Sequence, residues 1–301
     1  MTKKLKLFSP QIKEKKSVLS VVLFIILSVY VIGLFVPIIW ALYTAFNDTN
    51  AYEEFYLSTG GGKFPTELTL ENFRVALVDF RLDKPEGSFS FLEMIGNSFI
   101  YTIGCAFFYT LTPCLVAYCA ARFKFRFSKI IYGFVIVTMA LPIVGTMPSE
   151  WQMLKTLHID DSFIGMFILR MNFLSINFLI FHAQFEMIPM TYSEAAKVDG
   201  ASNFRIMTTV IFPQAFPTMV TIFLLSFLTF WNDYQIPRVY MPSYPTVSEG
   251  LWTFGTTGQG AFNYTPVKIA GFIGLTLPIV ITFALLNRFL KLNVATGGIK
   301  G

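Results

Sequence analysis

The sequence predicts an all-α membrane protein with six transmembrane helices and with both termini in the cytoplasm. Of its 301 residues, 54% are hydrophobic and 14% are charged, and the mean hydropathy is +0.59, outside the usual range of a soluble domain. A bilayer core about 30 Å thick requires about 20 consecutive, mainly apolar residues per helix. The chain contains six such stretches, at residues 18–46, 97–121, 129–149, 163–186, 209–236 and 267–290.

The positions of the basic residues set the predicted orientation. The first span follows a lysine-rich segment, residues 1–17. The apolar run is too long for a signal peptide and no small-residue cleavage site follows, so we predict an uncleaved anchor with a cytoplasmic N-terminal segment. The other basic clusters then also lie in the cytoplasm, as the positive-inside rule requires. They are Arg122, Lys124, Arg126 and Lys129 after the second span, Lys197 and Arg205 after the fourth, and Arg288, Lys291 and Lys300 at the end.

Several function classes are disfavoured at this point. The net charge of +5 indicates topology and contact with anionic lipid rather than nucleic-acid binding. The chain has two histidines, no His/Glu/Asp cluster at metal-ligand spacing and no nucleophile with a plausible base, so we predict neither catalytic residues nor a metal site. The three cysteines, Cys105, Cys114 and Cys119, all fall in the second span, and we interpret them as buried packing residues.

Two longer polar segments lie outside the membrane in the predicted topology. Residues 47–92 form the larger outer loop, in which the sequence "TLENFRVAL" predicts a helix along the membrane surface. Residues 237–266 form a second outer loop that is rich in proline, glycine and aromatic residues. Such a loop is either a docking surface or an ordinary lid between helices.

A polar segment, residues 191–206, separates the fourth and fifth spans. Thr191 and Glu194 have the T-x-x-E spacing of a capping box, which predicts a helix that starts just after Pro189. Gly200 suits a left-handed helix end, and a second short helix is predicted from Ser202, before the fifth helix is entered at Pro213. Two short helices at an angle suit docking into a partner's groove. The alternative is an amphipathic interfacial loop.

This segment resembles the coupling motif of binding-protein-dependent ABC importer permeases. The motif has E-A-A, three residues, G, nine residues, and then a hydrophobe, any residue, a hydrophobe and P. Isoleucine and leucine are usual at its two hydrophobic positions, where this chain has valine and phenylalanine. The strings "LPIVGTMP", "FWNDYQIP" and "TGGIKG" resemble the carbohydrate-uptake branch, in particular the smaller membrane subunit of maltose-type importers. The motif is matched by Glu194, Ala195, Ala196, Gly200, Val210, Phe212 and Pro213.

The resemblance implies a type I ABC importer permease fold and a function in the cell membrane. The chain would supply half of a pathway for a sugar or oligosaccharide. Its partners would be a second, different permease, a cytosolic ATPase dimer and an extracellular or periplasmic solute-binding protein. ATP and magnesium would bind to the ATPase, and this chain would bind no cofactor. The resemblance assigns ATPase coupling to residues 191–206, including Thr191, and places the cytoplasmic tail, residues 291–301, near the ATPase.

Sugar recognition requires hydrogen-bonding side chains and aromatic faces in an otherwise apolar pathway. Polar groups in membrane helices also bond across helices, and Trp and Tyr form interfacial belts, so packing is the alternative. We expect Arg170 to pair with a neighbour or to line water, and His182 to bond a backbone carbonyl. The candidates for the substrate pathway are Asn172, Ser175, Asn177, Trp231, Asn232, Asp233 and Tyr234.

Two other transport functions remain open from the sequence. An ion-coupled secondary transporter could use Arg170, His182 and Asp233, but these residues form no evident relay, and a carrier does not need the coupling segment. A permease for a non-sugar solute is the closer alternative. Because the chain lacks a G-x-x-x-x-G-K-[ST] phosphate loop, any ATP must be hydrolysed by another polypeptide.

Overall fold

The computed structural model describes residues 18–61, 68–78, 80–123, 125–141, 144–257 and 264–296, with side chains as far as residue 285. Helices dominate this part of the chain, and one antiparallel hairpin joins them. The first elements are α1 (Val18–Ala45), α2 (Thr49–Thr59), α3 (Glu71–Leu77), β1 (Arg81–Lys84), β2 (Gly87–Ser90), α4 (Phe91–Arg122), α5 (Ser128–Ala140), α6 (Met147–Thr156) and α7 (Phe163–Arg170). The later elements are α8 (Ile176–Met187), α9 (Thr191–Val198), α10 (Asn203–Ile206), a π-helical segment (Met207–Ile211), α11 (Phe212–Trp231), α12 (Gln235–Tyr240), α13 (Val247–Thr257) and α14 (Thr265–Thr296).

Four helical segments of the described chain are long and apolar enough to cross a membrane. They are Val18–Ala45, Phe91–Arg122, Asn203–Trp231 and Thr265–Leu285. They coincide with the first, second, fifth and sixth predicted spans. The full count of six spans and the cytoplasmic position of both termini stay predictions, and residues 1–17 and 297–301 lie outside the described residues.

The third and fourth predicted spans are wrong as continuous helices. α5 ends at Ala140, and Leu141 is extended (φ −83°, ψ 124°) because it precedes Pro142, which disfavours helical geometry in the residue before it. The fourth span breaks after Arg170. The Asn172 side chain accepts a hydrogen bond from Leu174 N at 2.8 Å, and this local bond competes with the helical ladder.

α4 forms the centre of the molecule and packs against α11, α8 and α7. It begins with a capping box: Ser90 N donates to Glu93 Oε2 at 2.7 Å, and Glu93 N donates to Ser90 Oγ at 3.4 Å. Gly104 lets α7 approach, because a Cβ there would collide with the Phe167 ring. Cys105 and Cys114 are buried in this packing as predicted, but Cys119 is exposed, so the prediction of burial was wrong for that residue.

The two predicted outer loops contain secondary structure in their described parts. α3 packs on α14, and its buried residue Asn72 donates to Ala45 O at 2.9 Å and to Asn47 O at 2.7 Å. Lys84 of the hairpin pairs with buried Glu249 of α13 at 2.6 Å. Burial raises the pKa of Glu249 and the neighbouring lysine opposes that rise. These contacts hold the hairpin, α3 and α13 together at one end of the bundle.

Candidate functional site

The polar segment between the fourth and fifth predicted spans begins with the short helix α9. It starts at Thr191, two residues after Pro189, as predicted. The capping box between Thr191 and Glu194 is wrong. The N-cap residue is Met190, which already has helical dihedrals (φ −64°, ψ −24°), and no side chain caps the helix. Because the first turn forms from Met190, Thr191 lies one residue inside the helix, where its hydroxyl does not cap it.

Gly200 ends α9 in the left-handed conformation that the sequence predicted, with φ +78°. Ala201 N donates to Ala196 O at 2.9 Å and Gly200 N donates to Lys197 O at 3.0 Å, the bond pair of a Schellman motif. No atom lies within 4 Å of the place where a Cβ on Gly200 would sit. Glycine is therefore favoured here by the backbone angle rather than by crowding inside the chain.

The second short helix begins after Ser202, as predicted, and Ser202 Oγ accepts from Arg205 N at 3.3 Å. It does not end before the fifth span, so the predicted separation of the two is wrong. α10 continues through the π-helical segment into α11. Phe212 N donates to Met207 O, five residues back, which is the π-helical pattern, and the next residue, Pro213, has no N–H to donate.

Arg122, the last residue of α4, holds the start of α9. Its guanidinium donates to Ile188 O at 2.6 Å, to Phe185 O at 3.3 Å and to Pro189 O at 3.4 Å. It also donates to Ser193 Oγ of α9 at 2.7 Å, and the residue is only 8% exposed. In the sequence, Arg122 served only to set the topology. A cation directly after the uncharged run of residues 98–121 was the available signal for a role in binding carbonyl groups at the end of the helix.

The second half of the motif packs into the protein. Phe212 lies 5.8 Å from the ring of Tyr118 on α4 and 6.2 Å from that of Phe185 on α8. Val210 is half-buried against the same cluster, whereas Pro213 is exposed. The hydrophobic positions of the motif therefore join the coupling segment to α4 and α8.

The first half of the motif is mostly exposed. Thr191, Glu194, Ala195 and Gly200 are exposed, and Ala196 is half-buried. Three large apolar side chains beside them also face outward: Val198 is 88% exposed, Phe204 71% and Tyr192 52%. We call these three residues the apolar knob. No sequence pattern singles out Tyr192 or Val198, because their exposure depends on how α9 packs against the bundle.

Asn177 and Arg170 line one cavity of about 310 Å³ between α4, α7, α8 and α11. Arg170 was expected to pair with a neighbouring residue or to line water. It lines this cavity, and its guanidinium carbon lies 5.0 Å from the centre of the Phe230 ring. Asn172 and Ser175 lie in the break between α7 and α8, where the Ser175 hydroxyl is buried without a hydrogen-bond partner in the described structure. His182 departs from its prediction: its Nδ1 lies 3.7 Å from Glu186 Oε2 rather than on a carbonyl.

The four candidates around the end of α11 have different surroundings. Trp231 is 2% exposed and donates to Leu275 O at 3.0 Å, so its ring has no open face for a sugar. Asp233 accepts from the Tyr101 hydroxyl at 2.9 Å and from two backbone N–H groups of α12. Asn232 and Tyr234 line a second cavity of about 260 Å³, in which Tyr234 stacks on Trp252.

The part of the chain that contains this segment matches a known protein family. Residues 110–294, which include α9, α10 and the motif, match the family described as binding-protein-dependent transport system inner membrane component. The chain belongs to this family. It is a multi-pass protein of the inner or plasma membrane and a transport permease.

Individual relatives cover most of the chain. It is 28% identical to the probable starch degradation products transport system permease protein AmyC of Thermoanaerobacterium thermosulfurigenes, over 81% of this chain and 85% of AmyC. It is 26% identical to the melibiose/raffinose/stachyose import permease protein MelC of Bacillus subtilis, over 79% of this chain and 83% of MelC. It is 25% identical to the sn-glycerol-3-phosphate permease UgpE of Escherichia coli, over 67% of this chain and 72% of UgpE.

The fold also has a solved counterpart. A chain from the crystal structure of a bacterial ABC transporter involved in the import of the acidic polysaccharide alginate matches with a TM-score of 0.73. The match covers 93% of this permease and 99% of that chain at 19% identity. The overall fold is therefore that of an ABC transporter permease.

Proposed function

We propose that this permease is one of two membrane subunits of an ATP-driven importer for a sugar or oligosaccharide, with residues 191–206 coupling it to a cytosolic ATPase. The observation that carries the proposal is the apolar knob on α9 and α10. Exposed apolar groups of this size on a segment otherwise rich in polar residues are typical of a protein contact, and two short helices fit a groove.

Two connections support transmission of a movement from the knob into the bundle. Arg122 bonds the end of α4 to Ser193 of α9 and to three carbonyls of the chain that leads into α9. Phe212 packs against α4 and α8. α10 runs into α11 without a loop, so a displacement of α10 moves a helix of 29 residues, Asn203–Trp231. Packed helices and hydrogen bonds with few internal hinges pass a displacement on instead of absorbing it.

The proposal includes the partners that such a system needs. A second permease, of a different chain, would complete the pathway, and a solute-binding protein would deliver the solute on the outer side. The ATPase would bind ATP and magnesium. The names of AmyC and MelC support a sugar as the solute. The name of UgpE, an sn-glycerol-3-phosphate permease, supports the alternative of a phosphorylated, non-sugar solute.

An ion-coupled carrier has less support. His182 lines a cavity with Ala120, near the C-terminal end of α4. Arg170 and Asp233 lie near Tyr101, in the N-terminal half of α4. Arg170 and His182 therefore line different cavities.

A photo-crosslinking residue tests the coupling assignment directly. p-Benzoylphenylalanine at position 198, in cells that express the whole transport system, is expected to capture a polypeptide that binds ATP, identified by mass spectrometry. The matched control is position 57 on α2, where Leu57 is 83% exposed and lies on the predicted outer side. If position 198 captures only lipid, or captures the same proteins as position 57, the coupling assignment is wrong.

A further inference from the structure

The cavity that contains Arg170 and Asn177 combines one cation with several hydrogen-bonding groups, and it opens to the surface beside Leu225 and Thr229, which are exposed. Its volume of about 310 Å³ is at the lower end of the range for small-molecule sites, which begins at about 300 Å³. α4, α7, α8 and α11 all contribute to its wall. The lining residues are Tyr109, Arg170, Asn177, Ile222, Leu225, Ser226, Thr229 and Phe230.

The break between α7 and α8 positions the two most polar residues of the cavity, Arg170 and Asn177. Arg170 ends α7, and Asn177 lies in the first turn of α8, a helix of 12 residues. Non-helical backbone at membrane depth is tolerated where it is buried in protein or lines a cavity, and half-helix ends there are used to bind charged groups. The N-terminal end of α8 adds a partial positive charge to that of Arg170.

Two polar groups of the cavity, the Asn177 amide and Arg170 Nε, lack hydrogen-bond partners among the described residues. Asn177 is 8% exposed, and its side chain has no hydrogen bond within the described residues. Arg170 Nε is buried without a hydrogen-bond partner in the same part of the chain. An unpaired amide and an incompletely paired guanidinium are costly in an apolar bundle, so a ligand that satisfies them would be favoured.

No described carboxylate forms an ion pair with Arg170 at a distance of 4.0 Å or less. Asp233 interacts with it at longer range, but its two carboxylate oxygens already accept the Tyr101 hydroxyl and the N–H groups of Gln235 and Ile236. The Tyr101 hydroxyl and the Cys105 thiol also interact with the guanidinium, but neither carries a formal charge, so no described anion is directly paired with Arg170. A neutral sugar would not provide such an anion, whereas a carboxylate or phosphate would.

We infer that this cavity is a solute subsite for an acidic sugar, one that carries a carboxylate or a phosphate group. Arg170 binds the anionic group, for which the planar guanidinium provides paired donors. Asn177 donates a further hydrogen bond, and the rings of Tyr109 and Phe230 provide apolar contact for the sugar. This inference rests on the proposed function, because it names the substrate class of the same pathway.

Matched pairs of probes test the inference on the full chain, purified with its co-purifying partners in lipid nanodiscs. One pair is digalacturonate and digalactose, and the other is glucose 6-phosphate and glucose. Equilibrium binding is expected to favour the acidic member of at least one pair by about tenfold or more, the scale of one charge-assisted contact. The pair that shows the preference identifies the group as carboxylate or phosphate. Equal binding within both pairs would overturn the inference.

Variants assign the preference to the cavity. Arg170→Gln is expected to reduce it to less than about threefold, and Arg170→Lys to retain part of it. Asn177→Asp places a carboxylate beside Arg170 without removing the cation, so it should fold and still lose the preference. The control is Arg74→Gln on α3, an exposed arginine paired with Glu71, and it should leave the preference unchanged. A preference that survives both Arg170→Gln and Asn177→Asp would place acid binding elsewhere.

The failure of this inference is distinguishable from failure of the proposed function. ATP-driven uptake of a neutral sugar with no preference for the acidic probes would remove only the acidic-sugar subsite. Crosslinking from position 198 without any ATPase would remove the coupling assignment, whichever sugar binds.

Discussion

Gly200→Asp is expected to abolish ATP-driven uptake while the permease still reaches the membrane. Gly200 has φ +78°, a conformation that Asp and Asn adopt more readily than other residues with a side chain, so the new charge is the main change. The new carboxylate would project into space that is open within this chain, beside the apolar knob. The substitution would therefore place a negative charge where we propose that the ATPase docks. Vesicles that contain the complex should show ATP hydrolysis without solute uptake.

Gly200→Asn is the matched control for this prediction. Asparagine has nearly the same shape, carries no charge and tolerates the left-handed conformation. It should keep a substantial part of the uptake, and immunoblots of membranes should show equal amounts of both variants. Normal uptake by Gly200→Asp would be incompatible with the coupling role of residues 191–206.

Arg122→Met should uncouple transport from ATP hydrolysis without any change in the exposed surface of α9. Arg122 donates to three carbonyls and to Ser193 Oγ, and hydrogen bonds from a charged group contribute about 1.5–3 kcal/mol each. Methionine keeps part of the apolar stem but leaves these acceptors unpaired. We expect the uptake per ATP hydrolysed to fall by about tenfold, since loss of one such bond already corresponds to about tenfold in an equilibrium.

The readouts for Arg122 separate a positioning role from a purely structural one. Hydrogen exchange should become faster in residues 188–200, whereas α14 should exchange as in the unaltered permease. Arg122→Lys retains the charge but lacks the planar donors, so it should restore only part of the coupling. If Arg122→Met lowers uptake and ATP hydrolysis in equal proportion, Arg122 supports the fold and does not couple the two activities.

Hydropathy predicted the long helices correctly because each of them contains an apolar run at least as long as the window over which hydropathy is averaged, and their internal prolines do not end the helix. α1, α4 and α14 coincide with predicted spans to within a few residues at most ends. The breaks in the third and fourth spans were missed for a physical reason. Hydropathy averages over about 19 residues, whereas a break depends on single local effects such as Pro142 or the bond from Leu174 N to Asn172.

The candidate site was predictable where it depends on backbone geometry and not where it depends on packing. The left-handed Gly200 and the start of α10 after Ser202 followed from residue type. The capping box predicted at Thr191 is absent because the first helical turn already begins at Met190, and the T-x-x-E spacing does not specify where that turn begins. The contacts of Arg122 lie 63 to 71 residues away in sequence, and no local pattern specifies them.

The measurement that tests the account most directly combines purification with transport. The permease, tagged at its N-terminus, is extracted gently from its native membrane, its partners are identified by mass spectrometry, and the assembly is placed in vesicles with labelled sugar. We expect a second permease and an ATPase to co-purify, and uptake to require ATP. A permease that purifies alone and moves solute in vesicles without ATP would contradict the account and would favour a secondary carrier.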